Sequence, residues 1–486
     1  AHVQSLNFVP LWGTDLGSPI QNVLSHEPVL KLKLNGWRLG RSVVREYFLP
    51  LIRNLVLGCS MHHFEASDIE RFTTTFVNLH TFFQHYGWLK AWESGQTIRC
   101  WCDSWAEVYE DMRDQHGTVG RYDGDDQDTA MLDAEVPTLE DMLVTLSLFT
   151  HFLKPLAVPL DTHLNVPVAH ASHHGIQTIL GVIAKRKNGT ALIVWDHGIL
   201  WRERLRAFSN FRGFPLFARN VLVGLNRLVV QINFCNADVV VPCCRTNMDW
   251  ELWIGSLRGN DTLRRTMQQY VFPVTNGMET DRFGVDRDNE EKNPTAVMLS
   301  HVYELKGVMD AIRAAGVIVQ KYGLVEYRLL IYGSLDKDPT YVSECRALIS
   351  ANNLQQNVHL MGLGNAPKVL TRGWVFVNSS LSEGLPLALG EAGLCGLPVV
   401  CTDVGGSREV ISQSMPKGGS VTYGRVVPPR NPLRLAQAQL ETMAMLDGLQ
   451  EIVSVTTKTN ESGNGGSSST TSSATSTSGE NSSKLR

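Results

Sequence analysis

Residues 382–392 read Ser-Glu-Gly-Leu-Pro-Leu-Ala-Leu-Gly-Glu-Ala, and they follow the apolar run Val375–Asn378, which predicts a buried strand. The stretch therefore predicts a loop that leaves the carboxyl end of a strand and opens a helix, where ligands bind in open α/β sheets. Free backbone N–H groups and the positive end of a helix dipole suit such a loop to phosphate, and Gly384 lets the backbone approach closely. Glu383 and Glu391 flank these amides and would accept hydrogen bonds from the hydroxyls of a ligand. The alternative for this pair taken alone is a helix with two exposed glutamates.

Strands alternate with helices on both sides of this stretch. The predicted strands are 165–170, 191–195, 297–302, 327–332, 375–378 and 398–401, and the predicted helices are 175–187 and 308–319. Such alternation indicates βαβ units and parallel sheets. The turn-forming stretch 273–283 separates two runs of this kind, which predicts two α/β domains with a cleft between them.

The predicted organisation has three parts. Residues 1–275 form the first domain, residues 276–455 the second, and residues 456–486 a tail without fixed structure. Within the tail, Ser467 to Ser478 is all Ser or Thr except Ala474, so it has almost nothing to bury.

Composition excludes several classes of protein. The 486 residues carry 44 Lys and Arg against 48 Asp and Glu, a net charge of 44 − 48 = −4, which argues against nucleic acid as the partner. The nine cysteines are odd in number and contain no CxxC pair, which disfavours a disulfide scaffold or a zinc module and favours a reducing compartment. The sequence shows no membrane span. The tryptophans at 88, 92, 101 and 105 are expected to pack in a core.

The order of motifs around the opening stretch resembles the donor-site signature of glycosyltransferase family 4. The motifs are Glu383-x7-Glu391, Gly396-Leu397-Pro398-Val399-Val400, Thr402-Asp403-Val404-Gly405-Gly406, Arg408-Glu409, Asn276-Gly277 with Asp281-Arg282-Phe283, and Lys306-Gly307. A closer resemblance, to the PelF-type branch of bacterial exopolysaccharide synthesis, is carried by His170-Ala171-Ser172, Asp196-His197-Gly198-Ile199, Arg202-Glu203-Arg204, Tyr332-Gly333, Asp336, Asp338, Tyr341, Glu344-Cys345 and Ser382-Glu383-Gly384. The resemblance implies the GT-B architecture, in which two Rossmann-like domains face each other across a cleft: an acceptor-side domain first and a nucleotide-sugar-binding domain second.

The resemblance also implies a diphosphate site. Lys306 would hold the donor diphosphate as a point charge, and the backbone amides of Gly384 and Leu385 would serve the same end. Where the family usually has Gly-Arg before the lysine, this chain has Ser300-His301, so an imidazole replaces a permanently charged guanidinium at the diphosphate.

Three further residues take roles at the sugars by the same resemblance. Glu383 would face the transferred sugar, Glu391 would accept from the ribose hydroxyls, and His197 would reach across the cleft to the reacting sugar. Arg202 and Arg204 are expected either to bind phosphate or acceptor or to pair with Glu203 on the surface.

The family's opening strand with its glycine-rich loop is not visible after Ala1, so the first domain is expected to be incomplete at its start. The family's closing helices after Leu435–Leu446 are expected to be replaced by the Ser/Thr tail. A zinc site at His170, His173 and His174 is disfavoured because no acid or cysteine stands at ligand spacing.

The implied function is that of a retaining, metal-independent glycosyltransferase without a cofactor. It would move a hexose from a nucleotide-sugar donor, a UDP-sugar such as UDP-glucose, to a polysaccharide or other glycan acceptor. The alternative is a non-catalytic nucleotide-sugar-binding or scaffolding subunit of a polysaccharide-synthesis complex. The expected location is the cytoplasm, with contact to the inner face of a membrane only through the partners of such a complex.

Overall fold

The structure is a computed structural model that describes residues 39–86, 88–118, 136–158, 166–210, 213–256, 261–414 and 420–447. The predicted tail at 456–486 and the start of the predicted first domain lie outside the described residues. No helix of the described residues combines the length and the apolar character needed to cross a membrane.

The first unit opens with helices that pack around an aromatic core. They are α1 (Arg41–Val43), α2 (Leu49–Ser60), α3 (Ala66–Tyr86), α4 (Trp88–Trp92), α5 (Gly95–Thr118) and α6 (Leu139–Leu153). The four tryptophans expected in a core, Trp88, Trp92, Trp101 and Trp105, are between 0 and 4% exposed, which confirms that expectation. Their rings contact phenylalanine rings, as between Trp101 and Phe149, which are tilted with centroids 5.0 Å apart, and between Trp92 and Phe83, which are stacked at 6.2 Å.

A three-stranded parallel sheet follows these helices in the order β1-β2-β3. Its elements in chain order are β1 (Val168–Ser172), α7 (Ile179–Asn188), β2 (Ala191–Asp196), α8 (Leu200–Asn210), α9 (Leu216–Asn236), β3 (Val239–Pro242), α10 (Arg245–Gly255) and α11 (Asp261–Met267). Helix α9 is buried along most of its length and packs against α2, α6 and α7, so it joins the sheet to the helices. Gly224 permits this packing, because a Cβ there would lie 1.9 Å from the carbonyl oxygen of Cys59.

The second unit is built on a six-stranded parallel sheet. Its elements in chain order are β4 (Thr295–Leu299), α12 (Val308–Gly316), β5 (Arg328–Tyr332), α13 (Pro339–Ala351), β6 (Val358–Gly362), α14 (Ala366–Leu370), β7 (Val375–Asn378), α15 (Leu387–Leu394), β8 (Val399–Thr402), α16 (Ser407–Ile411), β9 (Ser412–Ser414), β10 (Ser420–Thr422), β11 (Gly424–Val427) and α17 (Pro432–Asp447). The order across the sheet is β11-β8-β7-β4-β5-β6, and β9 and β10 form a separate antiparallel pair. Every residue of β7 and β8 is buried, as expected for central strands covered by helices on both faces.

Several predicted elements differ in extent from the observed ones. The strand predicted at 165–170 is observed as β1 (Val168–Ser172), and the helix predicted at 308–319 is α12 followed by a π-helical turn, Val317–Lys321. The strand predicted at 297–302 is β4, which ends at Leu299; beyond it, the N–H groups of Ser300 and Val302 donate to the carbonyl oxygens of Tyr332 and Ser334 at 2.8 and 3.0 Å. The helix predicted at 175–187 begins as the 3-10 turn Ile176–Thr178 before it becomes α7.

The two units meet at the carboxyl ends of their strands. His197, which follows β2, lies against Gly384, which follows β7, and Cys244, which follows β3, lies against Gly406, which follows β8. Both sheets are parallel and their ligand-binding edges face each other, so the predicted α/β, two-unit GT-B arrangement is confirmed.

Candidate active site

Lys306 and Glu383 form an ion pair where the strands β4 and β7 end. Lys306 closes the 3-10 turn Glu304–Lys306, and its Nζ lies 2.8 Å from Oε1 of Glu383. The hydroxyl of Ser380 donates to the same oxygen at 2.6 Å. The two side chains are 20% and 11% exposed, so the pair is mostly shielded from water but remains within reach of a ligand. A cation and a carboxylate held side by side offer one group for phosphate and one for hydroxyls.

The backbone under this pair is fixed by Gly307 and Ser379. Gly307 has a φ of +62°, and a Cβ there would lie 2.1 Å from the carbonyl oxygen of Ser379. The hydroxyl of Ser379 donates to the carbonyl oxygens of Lys306 at 3.1 Å and Gly307 at 2.9 Å. The N–H of Leu381 donates to the carbonyl oxygen of Leu305 at 2.8 Å. The turn that carries the lysine is therefore bonded directly to the loop that carries the glutamate.

The donor loop, defined here as residues 382–386, packs between the first unit and a glycine turn of its own unit. A Cβ on Gly384 would lie 1.8 Å from the carbonyl oxygen of His197, so the two backbones are in contact. The carbonyl oxygen of Gly384 accepts from the N–H of Gly406 at 2.7 Å. Leu385 contacts the same turn, since its Cδ1 lies 2.7 Å from where a Cβ on Gly406 would stand. Only a residue without a side chain fits at Gly384, because the backbone of the first unit occupies the space that a Cβ would need. Its close approach to a phosphate stays a prediction.

His197 follows β2 and is held between aromatic rings. Its imidazole stacks on Trp195 with ring centroids 5.8 Å apart and meets the ring of His173 edge-on at 5.6 Å. Burial and the neighbouring His173 lower the pKa of His197, and a hydrogen bond with Asn276 only partly opposes them. His197 is therefore neutral at pH 7 and can donate or accept a hydrogen bond at the junction of the units.

His301 lies at the same strand ends as Lys306. Its Nδ1 accepts the N–H of Ser334 at 3.2 Å, so in the neutral ring the proton is on Nε2. Burial, Lys337 and Lys306 lower the pKa of His301, so the free protein has a neutral imidazole where the family pattern has a guanidinium. Its role at a diphosphate stays a prediction.

Glu391 lies on the second turn of α15, beside the segment that joins the two units. The pKa of Glu391 is raised, mainly by burial; Arg282 partly offsets this shift and Glu279 adds to it. Its carboxyl group is half-buried and keeps hydrogen-bonding capacity for a ligand. The structure thus gives Glu391 a setting separate from the Lys306–Glu383 pair, and its ribose role stays a prediction.

Two arginines of α8 connect the units, and sequence reasoning did not place them there. Nη2 of Arg202 donates to the hydroxyl of Ser382 in the donor loop at 2.8 Å, and burial lowers the pKa of Arg202. Nη2 of Arg206 lies 2.5 Å from Oε1 of Glu304, in the turn that Lys306 closes. Burial also lowers the pKa of Arg204, which lines a pocket within the first unit beside Phe152. The i, i+4 spacing of Arg202 and Arg206 predicts that they share one face of α8, but it does not predict what that face meets.

Glu409 of the second unit caps a helix of the first. Its carboxylate accepts hydrogen bonds from the N–H of Arg245 at 2.9 Å, the N–H of Thr246 at 2.9 Å and the hydroxyl of Thr246 at 3.0 Å. These groups open α10, where unpaired N–H groups and the helix dipole favour a negative charge. Glu409 therefore fastens the units together next to the donor loop.

The histidines considered for zinc have other partners. His174 is fully buried and its Nδ1 lies 2.5 Å from Oδ2 of Asp196, while His170 stacks on Trp195 at 5.6 Å. Within the described part of the chain, no group of three His, Cys, Asp or Glu side chains is arranged to hold a metal ion.

Lys306 and Glu383 lie in a part of the chain that matches a known protein family. Residues 293–444 match the family model of glycosyl transferases group 1. The matched range contains His301, Lys306, Glu383, the rest of the donor loop and Glu391. Residues 127–258, which include His197, match a domain of unknown function, DUF3492. The first match supports glycosyl transfer as the general class of activity of the second unit, whereas the second match describes no activity.

Curated relatives match parts of the chain. The amylovoran biosynthesis glycosyltransferase AmsK of Erwinia amylovora is 26% identical over 200 residues, 38% of this chain and 46% of the relative. A human phosphatidylinositol N-acetylglucosaminyltransferase subunit is 22% identical over 277 residues, 55% of this chain and 54% of the relative. The chain thus spans about half the length of these two relatives.

Two solved structures of other proteins align with this chain at low TM-scores. HepE of Anabaena in complex with UDP-glucose aligns with a TM-score of 0.43 and 17% identity, covering 61% of this chain and 79% of that one. Sucrose-phosphate synthase of Thermosynechococcus elongatus aligns with a TM-score of 0.43 and 16% identity, covering 65% and 78%.

Proposed function

We propose that the chain is a retaining, metal-independent glycosyltransferase that moves a hexose from a UDP-sugar to a polysaccharide or other glycan acceptor. The observation that carries the proposal is the Lys306–Glu383 pair, held at the carboxyl ends of β4 and β7 while the adjacent Gly384 touches His197 of the other unit. A cation and a carboxylate of the second unit thus lie beside the loop whose backbone meets that of His197 in the first unit, which suits a donor bound between the units.

The proposed chemistry follows from these groups. The Lys306 ammonium binds the donor diphosphate. It stabilises the negative charge that grows as the bond between the anomeric carbon and the β-phosphate oxygen breaks. The acceptor hydroxyl attacks the anomeric carbon from the face that the diphosphate leaves, and its proton passes to the departing phosphate oxygen, so the configuration is retained. Glu383 and His197 hold the hexose hydroxyls, and Glu391 holds those of the ribose. No metal or further cofactor is proposed, because lysine and backbone amides supply the positive field.

The finer assignments belong to the proposal as well. Membership of family 4 and of its PelF-type branch is supported by the ordered motifs, and a biosynthetic role by the Erwinia relative, which is named as an amylovoran biosynthesis glycosyltransferase. A place in a complex is supported by the human relative, which is named as a subunit, and the location of that complex at a membrane is part of the proposal. We place the chain in the cytoplasm, bound to the membrane through such partners. The proposed domain limits remain 1–275 and 276–455.

A second candidate is a non-catalytic nucleotide-sugar-binding or scaffolding subunit. The observation that favours it is His301, whose lowered pKa leaves the expected arginine position uncharged in the free protein. Such a chain would bind the nucleotide sugar without turning it over.

A donor screen separates the two functions. Purified chain is incubated with UDP-glucose, UDP-galactose and UDP-N-acetylglucosamine plus a glycan acceptor, in the presence of EDTA, and nucleotide release and product are scored. Transfer supports the enzyme, whereas calorimetric binding of UDP without release supports the non-catalytic role. Absence of both binding and release contradicts the donor site itself.

A further inference from the structure

His174 joins three separate elements of the first unit. It is fully buried just beyond β1, its backbone N–H donates to Oδ1 of Asp196 at 2.9 Å, and its Nδ1 lies 2.5 Å from Oδ2 of the same residue. Its Nε2 accepts the N–H of Trp201 at 3.0 Å, in the first turn of α8. Because Nε2 accepts, the ring proton is on Nδ1 and is donated to Asp196. One ring therefore ties the end of β2 to the start of α8.

Asp196 is held as a buried carboxylate by this contact. Burial alone would raise its pKa, but His174, with a smaller contribution from His173, brings the pKa below the ordinary range. An ionised carboxylate without exposure persists only when paired and hydrogen-bonded, so His174 and Asp196 depend on each other.

The residue that follows Asp196 is His197, and the turn between them has little freedom. The carbonyl oxygen of Asp196 accepts the N–H of Cys243 at 3.0 Å, and that of Gly198 accepts the N–H of Leu200 at 3.0 Å. The carbonyl oxygen of His197 lies against Gly384 in the donor loop. The turn that carries the His197 ring and the contact between the units thus begins at the residue whose side chain His174 holds.

We infer that His174 is a positioning residue for His197 and acts through Asp196. The inference rests on the proposed function, in which His197 meets the reacting hexose. His174 does not touch the donor in this scheme; it sets where the turn of residues 196–198 lies. A displacement near 1 Å in a reacting group lowers rates by about 10²-fold, which is the size of effect expected in kcat when the pair is broken.

Three variants probe the pair, and one buried histidine elsewhere provides the control. His174→Phe removes both ring contacts, whereas His174→Asn keeps an N–H donor for Asp196 and loses the acceptor for Trp201. Asp196→Asn presents an N–H to the ring, so the proton moves to Nε2 and faces the N–H of Trp201. The control is His80→Phe: His80 is also fully buried, and its Nε2 bonds the carbonyl oxygen of Val158 at 3.0 Å.

The measurements are kcat, the dissociation constant of UDP by calorimetry, and the melting temperature. We expect kcat to fall about 10²-fold in His174→Phe and Asp196→Asn and less in His174→Asn, while UDP affinity stays within a few-fold of wild type. His80→Phe should lower the melting temperature without this selective loss. If His80→Phe loses kcat to the same extent at the same melting temperature, or if UDP affinity falls in step with kcat, the inference is overturned.

A spectroscopic measurement keeps the test separate from the proposed function. The ring ¹⁵N resonances of His197 are assigned by their loss in His197→Gln, and they report ring position without turnover. If wild type transfers no sugar, the proposed function fails, yet the His197 resonances should still shift in His174→Asn and Asp196→Asn and stay in place in His80→Phe. Unchanged His197 resonances in both His174→Asn and Asp196→Asn would overturn the positioning role.

Discussion

Replacing Gly384 with alanine tests whether the contact between donor loop and first unit belongs to the working site. The added Cβ would stand 1.8 Å from the carbonyl oxygen of His197 and 3.1 Å from Cα of Gly198, whereas ordinary contacts begin near 3.4 Å. The backbones must therefore separate by about 3.4 − 1.8 = 1.6 Å. Gly384 does not have the positive φ that disfavours a side chain, so alanine strains the junction and not the loop itself.

A separation of this size should lower kcat by about 10²-fold or more, because a displacement of 1 Å already costs that much where groups must align. The assay is UDP release in the donor screen, together with the melting temperature. The matched control is Gly284→Ala in the same unit, where a Cβ meets nothing within 4 Å. We expect the control to keep full activity and both variants to remain folded.

Normal turnover by Gly384→Ala would refute the reasoning. It would show that the units are apart during transfer and that His197 does not meet the donor loop in the active arrangement. A loss of activity that Gly284→Ala shares would instead indicate a general sensitivity of the unit to substitution.

Three further predictions follow from the same junction. Lys306→Met should lower the rate of transfer about 10²-fold by removing charge at the leaving diphosphate, while the exposed Lys368→Met should leave it unchanged in the same release assay. The pKa of His301 is lowered in the free protein and would be raised by a bound diphosphate. UDP affinity should therefore weaken from about pH 6 to about pH 8 as the charged imidazole loses its proton, and calorimetry should show a flatter profile for His301→Arg. Parallel pH profiles of the two proteins would place His301 away from the diphosphate. Glu409→Gln should lower the free energy of unfolding by about 0.5–2 kcal/mol through loss of the helix cap, whereas Glu441→Gln, which loses only an exposed ion pair, should change it little in thermal melts.

In the six-stranded sheet, the four central strands were predicted from sequence and the two edge strands were not. The apolar runs at 375–378 and 398–401 correspond to β7 and β8. They were predictable because a strand buried on both faces requires a continuous apolar run. The strands β6 and β11 went unpredicted because they stand at the two edges of the sheet, where half of their residues or more are partly exposed and the apolar pattern is weak.

The candidate site was predictable only within the second unit. Lys306 and Glu383 follow neighbouring parallel strands, so their meeting could be expected from topology. The bonds from Arg202 to Ser382 and from Arg245 to Glu409 depend on how two separate units dock, which no local pattern encodes. His174 was noticed as part of a histidine cluster, but its partner Asp196 lies 22 residues later, on the adjacent strand end.

The most direct test of the central claim is a time-resolved ¹H NMR spectrum of wild-type protein with each of the three UDP-α-sugars and acceptor in EDTA. The claim is retaining, metal-independent transfer at the Lys306–Glu383 junction. We therefore predict release of UDP together with a product whose first anomeric signal is α, and growth of both signals about 10²-fold more slowly in Lys306→Met. A β product, a requirement for added metal, or equal rates for wild type and Lys306→Met would contradict the account.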